Sequence, residues 1–146
     1  MDQTTSINIF TDGGSRGNPG PAALGVYIEN QSGMTLEEIG RAIGINTNNI
    51  AEYSAIVEGL SWVNSHKKDM PELKKVCFYM DSQLAASQLN GLYRIKNAGL
   101  RELLFKAKQL EAEIGLPVTY THVPREQNKK ADRMVNLALD NKLGPF

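Results

Sequence analysis

Cysteine is almost absent from this 146-residue chain: Cys77 stands alone, with two histidines and one tryptophan. One cysteine excludes an internal disulfide and any cysteine-cluster metal site, which suits a reducing compartment. Cys77 lies in the apolar run 76–80 and reads as a small buried hydrophobe rather than a nucleophile. No apolar run approaches the ~20 residues that cross a bilayer, so no membrane partner is expected. Residues 1–6 lack the basic and apolar layout of a signal peptide, and a cytoplasmic location is the expectation. Internal repeats, low-complexity tracts and Pro/Gly/Ser-rich linkers are missing too, so residues 1–146 read as one domain.

Net charge is also lacking, with sixteen basic and sixteen acidic residues, but the balance hides an asymmetry. Residues 1–60 carry two bases against seven acids, a net of −5, and residues 61–146 carry fourteen against nine, a net of +5. Within the second half, residues 94–108 hold five bases and one acid, and residues 125–133 hold four and two. Such stretches are either solvated helix faces or a docking surface for a polyanion. Composition is otherwise that of an ordinary globular domain, with 41% apolar and 22% charged residues.

Ile7, Ile9 and Phe10 predict a first strand that stops at the turn signal Asp12-Gly13-Gly14. Residues 24–29 and 36–43 predict two more strands, joined by a hairpin loop at Asn30-Gln31-Ser32-Gly33. The period then changes. Ile50, Tyr53, Ile56, Val57, Leu60 and Val63 follow helical spacing over residues 49–66. Residues 75–80 predict a strand, 82–89 and 100–114 two helices, 118–123 a last strand, and Asn128 the cap of a helix reaching about Asn141. The order βββαβααβα implies an α/β fold in which a mixed sheet has a parallel portion covered by helices.

Four carboxylates fall at comparable points of this scheme: Asp12 and Asp81 at strand ends, Glu52 and Asp132 in first helical turns. Each has a local explanation. Asp12 can open a glycine turn, Asn49 and Glu52 can form a capping box, Asp81 can cap the next helix, and Asp132 can oppose the helix dipole. As a set they offer something else. Oxygen-rich sites without cysteine select hard ions such as Mg²⁺ or Mn²⁺, and two such ions about 4 Å apart suit phosphodiester hydrolysis. Spacing along the chain alone does not bring the four together.

Thr11-Asp12-Gly13-Gly14-Ser15-Arg16-Gly17-Asn18-Pro19-Gly20, Thr47-Asn48-Asn49-Ile50-Ala51-Glu52, Asp81-Ser82-Gln83 and Asn128-Lys129-Lys130-Ala131-Asp132 resemble, in order, the signature blocks of the ribonuclease H type 1 family. The resemblance spans nearly the whole chain. It implies a five-stranded mixed sheet of order 3-2-1-4-5, its first three strands antiparallel, flanked by helices. It implies hydrolysis of the RNA strand of an RNA/DNA hybrid, the expected partner of a monomer. Asp12, Glu52, Asp81 and Asp132 would share two Mg²⁺ ions, with Mn²⁺ as a substitute. Gly13, Gly14, Ser15, Arg16 and Asn18 would lie along the RNA strand, and Asn48, Asn49 and Gln83 would offer polar groups to 2′-hydroxyls and base edges.

Two departures from the family pattern matter. The family commonly has a histidine in the loop before the last helix. Here counting back from Asp132 reaches His122, whereas matching the Val123-Pro124 element puts Arg125 in that place, as in one branch of the family. Arg125 is the preferred reading, as a cation near the scissile phosphate. Long-form members also insert a basic helix that grips the DNA strand, and residues 90–99 are too few to hold one. Tyr93, Arg94 and Lys96 would be its remnants, with weaker and more salt-sensitive hybrid binding. A transposase or integrase core, or a non-catalytic nucleic-acid-binding module, are the competing readings.

Overall fold

Ile7 and Ile9 alternate with more exposed neighbours along β1 (Ser6–Ser15), and this period of two sets one face of a sheet against the main core. The computed structural model describes residues 3–91 and 97–141. After β1 come β2 (Gly20–Asn30), β3 (Thr35–Asn46), α1 (Asn48–His66), β4 (Lys75–Met80), α2 (Gln83–Leu89), α3 (Ala98–Ile114), β5 (Val118–His122) and α4 (Lys129–Leu139). The five strands form one sheet in the order β3-β2-β1-β4-β5. β1, β2 and β3 are antiparallel neighbours, and β4 joins β1 and β5 in parallel. The expected topology is therefore present.

The two faces of the sheet differ in what covers them. Ile7, Ile9, Leu24, Val26 and Ile28 meet Tyr53, Ile56, Leu60 and Val63 of α1 in a large core that also takes in Leu100, Ala107 and Ile114 of α3. On the opposite face a small cluster, Ala23 with Val135 and Ala138, seats α4.

Several local expectations are corrected. β1 does not stop at Asp12-Gly13-Gly14 but runs to Ser15, because those glycines pair with Leu24 and Ala23 of β2. The residue that caps α1 is Thr47, whose Oγ1 accepts from Ile50 N at 3.2 Å, so the Asn49–Glu52 capping box is not formed. Ser82, not Asp81, caps α2 through Ala85 N at 3.1 Å. α3 starts at Ala98, capped by Asn97. Asn128 precedes α4, but its side chain does not cap it. Tyr93, Arg94, Lys96 and residues 142–146 lie outside the described residues.

Candidate active site

Asp12 lies one residue beyond Thr11↔Met80, the last pair of the β1–β4 ladder, and Asp81 leaves the end of β4 beside it. Two glycines let the other acids approach. A Cβ on Gly13 would lie 2.2 Å from Ala51 C and 2.3 Å from Glu52 N, so α1 can run against β1 at that level only over a bare backbone. Gly25, the β2 partner of Asp12, plays the same part for α4: a Cβ there would lie 2.2 Å from Ala131 O. Gly13 is buried against α1 on the side a Cβ would occupy, and it also lines the cleft beside Asp12.

One oxygen from each of Asp12, Glu52 and Asp81 falls within 4.8 Å of the other two, and all three residues are half-buried. Asp132 completes the group from α4, within hydrogen-bonding reach of the Asp12 carboxyl. Burial is the main reason the Asp12 pKa is pushed up to about 8, and the charges of Asp81, Asp132 and Glu52 add to it. Burial likewise pushes Glu52 up to about 7; the Ser82 hydroxyl and the Arg125 charge oppose this, while Asp81 reinforces it. Asp12 and Glu52 therefore hold their protons more tightly than ordinary carboxyls do. The donor set of carboxylate oxygens without cysteine or histidine fits hard divalent cations.

The acids open onto a cleft of about 350 Å³ that Gly14, Ser15, Arg16, Asn48 and Arg125 also line. Asn48 is doubly engaged. Its Oδ1 accepts from Ser15 N at 2.8 Å and Ser15 Oγ at 3.1 Å, and its own N–H donates to Asn18 Oδ1 at 2.9 Å. The β1–β2 turn is thereby tied to the start of α1. Arg16 Nη2 reaches Asp140 Oδ1 at 2.7 Å beyond the end of α4. Arg125 extends an exposed guanidinium whose Nε is 3.7 Å from Asp81 Oδ2. His122 ends β5 and does not line the cleft. Asn18, Asn49 and Gln83 are exposed and lie outside the lining as well.

Three lining residues escape a reading of the sequence: Val135, Asn136 and Leu139 of α4. Asn136 donates to Asp132 Oδ2 at 3.3 Å, and its place four residues after Asp132 was the available signal. Ser82, hydrogen-bonded to Glu52, had no such signal.

A family model described as reverse transcriptase-like matches residues 10–138. Ribonuclease HI of Halobacterium salinarum is 37% identical over 140 residues, covering 96% of this chain and 67% of that protein. The chain belongs to the type 1 ribonuclease H family. A bifunctional protein of Mycobacterium tuberculosis is 38% identical over 135 residues, 92% of this chain; the ribonuclease H chain spans only 35% of that relative's length. Among solved structures, LC11-RNase H1, isolated from compost by a metagenomic approach, superposes with a TM-score of 0.87 at 39% identity, covering 99% of this chain and 100% of that one. The same ribonuclease H1 in complex with an RNA/DNA hybrid gives 0.86 at 39% identity, covering 94% and 99%.

Proposed function

We propose that the chain is an endonuclease that hydrolyses the RNA strand of RNA/DNA hybrids with two divalent metal ions, leaving 5′-phosphate and 3′-hydroxyl ends. The observation that carries this reading is the meeting of Asp12, Glu52 and Asp81 within 4.8 Å, from three separate elements of the fold. The relative solved with an RNA/DNA hybrid supports the substrate.

Asp12, Glu52, Asp81 and Asp132 would hold the ions, Mg²⁺ with Mn²⁺ as a substitute. When bound, such ions supply the positive charge that polarises a water and stabilises charge developing on the phosphate. The protein's own residues do the rest. Asp12 and Glu52 release their protons as they become ligands, so the loaded site is favoured as pH rises through the range where they titrate. Asn48, its Oδ1 already bound by Ser15, keeps its Nδ2 for a substrate acceptor. Gly14, Ser15 and Arg16 line the approach for the RNA strand, and Asn18 fixes that turn through Asn48. Asn49 and Gln83, exposed at the starts of α1 and α2, offer amides to 2′-hydroxyls. Arg125 presents an exposed guanidinium cation to the scissile phosphate, and its role is electrostatic.

The test is cleavage of an end-labelled RNA/DNA hybrid beside duplex DNA and duplex RNA in Mg²⁺. The expected result is cutting of the RNA strand of the hybrid, lost on adding EDTA. Cutting of duplex DNA would favour a transposase-like core, and binding without cutting would favour a non-catalytic module.

A further inference from the structure

Asn128 occupies the N-cap position of α4 without capping it. The side chain is 1% exposed, and its Nδ2 donates to Thr11 O at 2.9 Å, a contact across 117 residues of sequence. Its Oδ1 is buried with no partner among the described residues. A capping asparagine would stabilise the helix. A buried amide oxygen left unpaired is destabilising. Both effects run against stability, so helix formation does not explain the orientation. What the orientation achieves is a link between two acids. Thr11 immediately precedes Asp12 in β1, and the Asn128 carbonyl accepts from the N–H of Asp132 at 3.1 Å.

Other contacts also seat this end of α4. Ala131 rests on Gly25, and Lys130 Nζ reaches the Tyr27 hydroxyl at 3.1 Å from an exposed position. Ala131 is itself fully buried, and Met134, Val135 and Ala138 are buried further along the helix.

We propose that Asn128 is a positioning residue: by joining the β1 carbonyl before Asp12 to the first turn of α4, it sets the spacing of Asp12 and Asp132 and so completes the cation site. This rests on the metal-dependent reading above. It gives Asn128 no contact with substrate.

The test compares Asn128→Ser with a remote core variant, Ile114→Val at the end of α3. Serine restores a cap-competent oxygen but is too short to reach Thr11 O. The readouts are Tm without metal, the Mg²⁺ concentration that gives half of the metal-induced rise in Tm with no nucleic acid present, and kcat and KM on a hybrid. Asn128→Ser is expected to raise the Mg²⁺ midpoint about fivefold or more and to lower kcat about tenfold with KM within about threefold, the scale found for residues that orient metal ligands. Ile114→Val is expected to lower Tm while leaving the midpoint and kcat within about twofold. In an Asp132→Asn background, Asn128→Ser should add nothing to the midpoint, because the coupling it serves is already gone. A wild-type midpoint and kcat in Asn128→Ser, or an additive shift in the double variant, would overturn the proposal. Should Asn128→Ser fail to fold, Asn128→Asp keeps the shape and lacks the donor, and the same expectations apply to it. If the wild type cleaved no hybrid, the endonuclease reading would fall, while the Mg²⁺ midpoints would still decide the role of Asn128.

Discussion

The two helices that bring acids to β1 are seated very differently. α1 is 19 residues long, capped by Thr47, and buries Tyr53, Ile56, Leu60 and Val63 in the main core, so Glu52 rides on a helix seated in that core. α4 has 11 residues, no side-chain cap and a small apolar seat, and it carries Asp132. Both cross the sheet over a glycine, Gly13 for α1 and Gly25 for α4. The same steric device therefore serves a rigid donor on one side and a lightly held one on the other.

Gly13→Ala and Gly25→Ala probe that difference most strongly, since each Cβ would meet backbone at 2.2 Å. Gly13→Ala must push α1 off the core, and chemical denaturation should register a loss of about 4 kcal/mol or failure to fold. Gly25→Ala should lose less, about 2 kcal/mol, because α4 can lift from its small seat, yet it should abolish the Mg²⁺-induced rise in Tm. Equal losses in both would show that the two seats are equally rigid.

A milder effect is expected from Arg125→Ala. The side chain is 84% exposed and near Asp81, so kcat on a hybrid should fall about tenfold while stability stays within about 0.5 kcal/mol. Smaller again is Thr47→Ala, which removes the α1 cap and should cost about 1 kcal/mol of stability without changing the Mg²⁺ midpoint. A midpoint shift there would mean that α1 is no firmer a platform than α4.

Much of this arrangement was legible in the sequence. Alternation at Ile7 and Ile9 gave the first strand its inner face, and the helical spacing from Ile50 to Val63 gave α1 its core stripe. The acids could be placed on elements, but their meeting came only from the resemblance, because strand order and the β1–β4 register are properties of long-range pairing. Local signals misled where tertiary contacts overrode them. Asp12-Gly13-Gly14 looks like a turn, yet it continues β1, and Gly13 allows the close approach of α1. Asn128 looks like a cap, yet Thr11 takes its side chain. Gly25, in an apolar run, carried no sign that a helix would cross it.

Crowding of the acids is most directly tested by Tm against pH, without metal, for the wild type and Asp12→Asn. Folded pKa values of about 8 for Asp12 and about 7 for Glu52 exceed their ordinary 3.8 and 4.5, so the folded state binds protons more tightly than the unfolded state. Apo stability should therefore fall as pH rises from about 4 to about 8, and asparagine at position 12 removes the largest part of that fall. Asp12→Asn is expected to melt above the wild type by roughly 3 °C or more at pH 8, to converge with it near pH 4, to gain less from Mg²⁺ and to cleave nothing. A variant that melts below the wild type at pH 8, or differs from it equally at both pH values, would contradict the meeting of these carboxylates in one uncompensated pocket.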